Sequence, residues 1–248
     1  MAPTKELYDT LEKAFSYFNR HLFDNQLPPV LFTVQRKQKC MGYFAPERWA
    51  SPNGKNCHEL AINPAYVSNN ALIDVLQTLV HEMAHEWQHC FGKTSRNGYH
   101  NKEWADKMEA IGLMPSSTGR PGGNRTGQNM SDYPMPGGRF MKLCVDLVNQ
   151  ESFTLPWVDR QARVESPGDF AISIDELLCS ADAGDHAAIE TLTTRVVELM
   201  PESAVAPQAS KISMKTKYTC PGCSANLWGK SGLEVRCEPC DELFDENY

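Results

Sequence analysis

The stretch LVHEMAHEWQHC, positions 79–90, gathers His81, Glu82, His85, Glu86, His89 and Cys90, all side chains that can bind a metal or move a proton. On a helix, residues four apart stand on one side about 6 Å apart along the axis, so the imidazoles of His81 and His85 can converge on one ion. Glu82, one residue round from His81, could reach a water at that ion without ligating it, which suits a general base. His89 lies about 12 Å along the axis from His81, too far for all three rings to share an ion at about 2 Å each. The third ligand must come from elsewhere. Residues 92–98 (GKTSRNG) are turn-rich, so the chain can double back and return His100 to the metal. Glu103 is the rival, and the residues alone leave it open. The longer spacing H-E-x-x-H-x-x-G-x-x-H is absent, because Gln88 and Phe91 stand where it requires glycine and histidine.

A second set is Cys220, Cys223, Cys237 and Cys240, spaced C-x2-C-x13-C-x2-C. Four thiolates close a tetrahedron and leave no corner for water, so zinc there would be structural and would hold together a segment too short to fold by core burial. Two disulfides fit less well, since the chain has nine cysteines and no secretory signal precedes them. Cys40, Cys57, Cys144 and Cys179 are expected to be small apolar groups. His21 and His186 are expected at the surface. Tyr133 could offer a phenol to an oxyanion, although a tyrosine beside prolines suits packing.

The elements that must position these groups read as α+β. Leu7, Leu11, Ala14, Phe15, Phe18 and Leu22 recur at helical spacing after Pro3-Thr4. Residues 30–35, 41–45 and 57–63 are β-rich, which predicts a sheet of three or four strands. The central helix is expected to start at Ser68-Asn69-Asn70 and end at Gly92, with Asp74 in its first turn and Leu72, Val75, Leu76, Leu79, Met83, Trp87 and Cys90 on its buried arc. A further helix begins at Asn101 and stops at Gly112. Residues 115–139 read as an irregular loop, and helices are expected near 174–179 and 186–200. The strand at Leu60 to Asn63 is expected to accept an extended peptide by strand addition.

The formal charge of −7 is unevenly spread. Residues 1–145 are net +3, residues 146–210 net −9 and residues 211–248 net −1. This predicts three parts: a domain at 1–145, an acidic spacer at 146–210 and a four-cysteine ribbon at 211–248. Arg120, Arg125, Arg139 and Lys142 face only Asp132 within 110–145, the pattern of a solvated loop or a phosphate-facing surface. Lys211, Lys215, Lys217, Lys230, Arg236 and Trp228 could touch nucleic acid, against the acidic tail DELFDENY. No apolar run is long enough to span a membrane and no signal peptide is evident, so the cytoplasm is the expected location.

The run HEMAHEW, the third histidine nineteen positions after the first in GYHNKEW, and FNRHLFDNQLPP together resemble the SprT-like family of zinc peptidases, which includes the Spartan proteases. The resemblance covers about residues 4–112, with Asn101 where the family is expected to carry glycine. It implies a zincin-like domain that cleaves proteins, in some members those crosslinked to DNA, with a C-terminal zinc ribbon. On that reading His81, His85 and His100 hold a catalytic zinc, Glu82 is the base, the substrate is a protein, and DNA is a candidate partner. The alternative is a non-catalytic module in which the zinc is architectural and the ribbon recruits nucleic acid or protein.

Overall fold

The computed structural model describes residues 2–37, 40–96, 98–162, 185–201 and 216–247. The helix expected at 174–179, the linker at 202–210, and Lys211 and Lys215 lie outside them. The chain forms two compact units, Met1–Ala206 and Pro207–Tyr248. The fold is mixed α and β.

Helix α1 (Pro3–Leu22) opens with proline in its first turn and buries Leu11, Ala14, Phe15, Phe18 and Leu22. Past its end Asp24 and Asn25 take left-handed conformations. The buried amide of Asn19 then binds the backbone of Leu27 in both directions, at 3.0 and 3.1 Å, which lays Leu27 into the core.

The first sheet contains β1 (Val30–Val34), β2 (Gly42–Ala50) and β3 (Asn56–Ile62), in the order β1-β3-β2. Strand β3 is central, parallel to β1 and antiparallel to β2. Both flanks of β3 are therefore occupied, so it cannot accept a peptide as its sequence position suggested; the edges are β1 and β2. Alternation sends Leu60 and Ile62 into the core and Glu59 to the opposite face. There Glu59, 1 % exposed, accepts hydrogen bonds from Thr33 (2.6 Å), Gln35 (2.8 Å), Tyr43 (2.8 Å) and Trp49 (3.1 Å).

Residues 68–70 do not cap the central helix. They finish a short helix, α2 (Pro64–Asn69), whose own cap is the Asn63 side chain accepting from the Ala65 N–H. Helix α3 (Leu72–Phe91) follows, and the Asp74 carboxylate accepts the Ala71 N–H at 3.1 Å. Its apolar face buries Leu72, Val75, Leu76, Leu79 and Met83. Helix α4 (Lys102–Ile111) is capped by Asn101 and ends at Gly112. That glycine has φ +96, and a Cβ there would lie 2.7 Å from the Phe140 nitrogen.

The expected irregular loop contains a two-stranded ladder, β4 (Leu113–Ser116) against β5 (Ser131–Pro134). Helix α5 (Arg139–Glu151), helix α6 (His186–Thr193) and a 3-10 turn at Val196–Leu199 complete the unit. Phe153, Leu155, Ala188, Ile189, Leu192 and Val196 belong to the same core as α1, α3 and α4. The Leu72 N–H donates to Thr194 O at 3.2 Å and the Val196 N–H to Asn70 O at 3.0 Å. The described residues between 146 and 201 thus pack as part of the first unit. Charge composition marked the change at 145, but the apolar positions of α6 decide where the chain packs. No helix among the described residues is long and apolar enough to cross a membrane.

In the second unit β6 (Thr216–Thr219), β7 (Asn226–Gly229) and β10 (Asp245–Asn247) form a sheet in the order β10-β6-β7, and β8 (Arg236–Cys237) pairs with β9 (Glu242–Leu243). Among its described residues the buried apolar groups are Tyr218, Cys220 and Cys237. A core this small does not offset the conformational entropy of the chain, so a cross-link of another kind is required.

Candidate metal centres

His81 and His85 project from one side of α3, and the chain turns back after Gly92 to bring in His100. The three Nε2 atoms form a nearly equilateral triangle: 3.3 Å between His81 and His85, 3.1 Å between His85 and His100, and 3.4 Å between His81 and His100. An ion held tetrahedrally at about 2.0–2.1 Å needs ligand nitrogens about 3.3–3.4 Å apart, so the triangle fits. Proton placement points the same way. His81 Nδ1 faces the Asp132 carboxylate at 2.7 Å and His100 Nδ1 faces the Gly127 carbonyl at 3.3 Å, so both rings carry their proton there. Their Nε2 lone pairs are then aimed at each other, which is repulsive unless a cation lies between them.

Packing holds the rings in place. Trp104, fully buried on α4, stacks on His85 with centroids 5.3 Å apart and meets His81 at 4.9 Å and His100 at 4.5 Å edge to face. The backbones of His100 and Gly127 exchange hydrogen bonds of 2.8 and 3.1 Å. Burial, with the neighbouring rings of His81 and His100, holds His85 well below the usual histidine range. Burial and His81 take His100 to about 4. Burial also disfavours charge on His81, but the hydrogen bond and charge of Asp132 outweigh it and raise that ring. Neutral imidazoles are what a metal requires, and a carboxylate behind one of them makes it a stronger donor.

Glu82 is buried beside the triad, with the backbone N–H of Phe44 on β2 close enough to favour its carboxylate form. Burial raises its pKa above the ordinary carboxylate value, against the opposing influence of His81 and the Phe44 N–H. A cleft of about 1310 Å³ opens over these groups, with Gly42 to Phe44, Asp74, Gln77, His89, Arg96 and Met130 among its lining residues.

Glu103 stands outside the triad. Its carboxylate takes the Lys93 N–H at 2.6 Å and the Gln88 amide at 3.1 Å, closing the C-terminal end of α3. Gly92 leaves room for it, since a Cβ there would lie 2.5 Å from Glu103 Oε2. Asn101 caps α4 by accepting the Trp104 N–H at 3.1 Å and also takes the Gln88 amide at 2.6 Å. His89 is exposed against the rings of Phe44 and His58. Tyr133 is half-buried against the core. Of the basic loop, Arg125 pairs with Glu109 and with Asp106 (3.0 Å), and Arg139 donates to His21 O at 2.7 Å. Those two guanidiniums are spent inside the domain.

In the second unit the Sγ atoms of Cys220, Cys223, Cys237 and Cys240 all lie within 4.8 Å of one another, and those of Cys223 and Cys237 are 3.7 Å apart. Tetrahedral zinc–sulfur bonds of about 2.3 Å imply about 3.8 Å. Backbone N–H groups of Cys223 and Gly222 favour the Cys220 thiolate and help bring it to about 7. Hydrogen bonds shared with Cys223 and Cys237 push Cys240 up to about 12. Each knuckle is followed by a left-handed residue, Ser224 and Asp241. The donor sets at both places fit a metal, and neither set by itself fixes which ion.

Residues 11–123 match the family model described as SprT-like. The match covers just under half of the chain. Among curated proteins, an uncharacterized protein in the mucB 3′ region of Salmonella typhimurium is 47% identical over 47 residues, 19% of this chain and 64% of that protein. Protein SprT of Glaesserella parasuis serovar 5 is 29% identical over 120 residues, 48% of this chain and 65% of that protein. The chain thus spans just under two thirds of the length of each. No solved structure matches it.

Asp132 and Gly127, which set the tautomers of His81 and His100, lie beyond the residues that match the SprT-like model. The sequence showed Asp132 only as the single acid of a basic stretch. That isolation was the available signal, because a lone carboxylate among cations and glycines needs a reason. Trp104 was legible as a buried position and not as the floor of the triad. The Phe44 N–H could not be read from side-chain types.

Proposed function

We propose that the chain is a zinc-dependent metallopeptidase whose active residues are His81, His85, His100 and Glu82, with a second, structural zinc at Cys220, Cys223, Cys237 and Cys240. The observation that carries this is the placement of Glu82: a buried carboxylate beside three converged imidazoles, at the edge of an open cleft. Three histidines with a free corner suit catalytic zinc, and four thiolates suit a closed structural site. Zinc in the histidine site would supply Lewis acidity, acidifying a water and polarising a carbonyl.

The remaining work falls to the chain. The edge of β2, half-buried along the cleft at Gly42 to Phe44, offers backbone groups that can align an extended peptide by strand addition. Glu82, whose pKa burial raises above the ordinary carboxylate value, takes a proton from the attacking water and returns it to the leaving nitrogen. Asp132 keeps His81 in the tautomer that presents Nε2. Substrates associated with or crosslinked to DNA fit the family resemblance, and the chain's location is proposed to be the cytoplasm.

Glu82→Gln is the test. It should abolish cleavage of a DNA-bound protein while the protein keeps both zinc ions and its fold, and chelator should abolish cleavage by the unmodified chain. Loss of the histidine-site zinc in Glu82→Gln, or undiminished cleavage, would favour the architectural reading instead.

A further inference from the structure

We propose that Gln77 is a positioning residue for the histidine metal site and acts through Asp132. The inference rests on the histidine-site zinc of the proposed function, and not on the cleavage assigned to it.

Gln77 lies four residues before His81 on α3, so both side chains leave the helix on one side. Both meet the same residue. The Gln77 amide donates to the Asp132 backbone carbonyl at 2.7 Å, while the Asp132 carboxylate takes the His81 Nδ1 proton, also at 2.7 Å. Asp132 is thus held at two points by one face of one helix.

The need for Gln77 comes from the β4–β5 ladder. Pro115 stands opposite Asp132 and has no N–H to give, so strand pairing leaves the Asp132 carbonyl without a donor. On a residue only 4% exposed, that carbonyl needs a partner from elsewhere.

The chain on either side of Asp132 is anchored. Gly127 and His100 exchange backbone hydrogen bonds, and the Met135 N–H donates to Gly112 O at 3.0 Å. Between those anchors the Gln77 amide sets where the Asp132 backbone lies against α3, and with it how squarely the carboxylate faces His81. The other oxygen of that carboxylate is buried without a partner, so a displaced side chain has no second hydrogen bond to hold it. Gln77 carries no charge. Removing its donor therefore shifts placement and leaves the charge around the triad as it was.

The test is competition for zinc between the full zinc-loaded chain and a chromogenic chelator. Gln77→Met keeps the length of the side chain and lacks the donor. It should weaken the histidine site about 10-fold, the low end for partners that orient a ligand, and leave the four-cysteine site loaded. Gln77→Leu should act in the same direction, and it decides the matter if Gln77→Met fails to fold. The His81 Nδ1 proton, followed by NMR, should shift upfield as its bond to Asp132 lengthens. A double-mutant cycle separates positioning from general packing. Asp132→Ala keeps the backbone carbonyl, so a packing loss would persist in that background, whereas a role through the carboxylate disappears. Gln77→Met should therefore add nothing to Asp132→Ala. Unchanged zinc affinity in the folded Gln77 variants, or an equal further loss on top of Asp132→Ala, would overturn the proposal. A chain from which His81→Ala removes no zinc would overturn the histidine-site reading, and this proposal with it.

Discussion

Replacing Asp132 should loosen the metal held by the histidines and leave the four-cysteine site loaded. The carboxylate is 4% exposed and makes one short bond, 2.7 Å, to His81 Nδ1. Its other oxygen has no protein partner. All of its hydrogen bonding to the site therefore runs through one imidazole. Removing such an orienting partner typically costs 10- to 100-fold in metal affinity, or about 1.4–2.7 kcal/mol. Asp132→Ala loses both the acceptor and the charge and belongs at the upper end. Asp132→Asn can keep an acceptor oxygen toward His81 and set its amide where no partner was lost, so about 10-fold is expected. The assay is competition for zinc between the protein and a chromogenic chelator, with thiol reactivity reporting the cysteine site in the same sample. Early release of one equivalent with unchanged thiol protection is the expected pattern. If folded Asp132→Ala surrendered that equivalent no sooner than the unmodified protein, the role given to this hydrogen bond would be wrong.

Glu86 is fully buried with neither oxygen bonded, and burial lifts its pKa from the usual 4.5 to about 8. The folded state then retains a proton that the unfolded chain releases, so stability should fall as pH rises between those two values and level off above about 8, with about 5 kcal/mol as an upper bound. Glu86→Gln should raise the Tm more at pH 8 than at pH 5, and an equal shift at both would refute this. A Cβ at Gly222 would sit 2.9 Å from Cys240 Cβ and 3.0 Å from its sulfur. Gly222→Ala should therefore expose the thiols of the ribbon to a thiol reagent and release its metal, leaving the histidine site loaded. Gly112→Ala combines a left-handed backbone with a clash against Phe140 and should cost at least about 2 kcal/mol, read by denaturant melts.

How much of this was legible in the sequence depended on the range of the interaction. Helix α3 with its histidine face, α1, α4 and the cysteine knuckles rest on spacing within one segment, and spacing is visible in a string. Position 100 required a chain reversal, which the glycines at 92 and 98 signalled. The order of the strands was not readable, because both β1 and β2 could have flanked β3 or left it at an edge. Parallel pairing of Val30 with His58 is a long-range choice made by packing on α1 and α3. Asp132 escaped for a related reason. It reaches His81 from fifty-one residues away on a four-residue strand, with a proline at its end, too short to show alternation. The expected boundary at 145 followed charge, whereas the core followed Ala188, Ile189, Leu192 and Val196.

The packing of Trp104 has a practical consequence. Its indole touches all three converged imidazoles and is shut off from solvent, with its N–H unpaired. Any change in the charge or position of those rings alters the surroundings of a natural fluorophore. Emission from this side chain, isolated by replacing the other four tryptophans with phenylalanine, would make occupancy of the centre an optical signal that needs no attached dye.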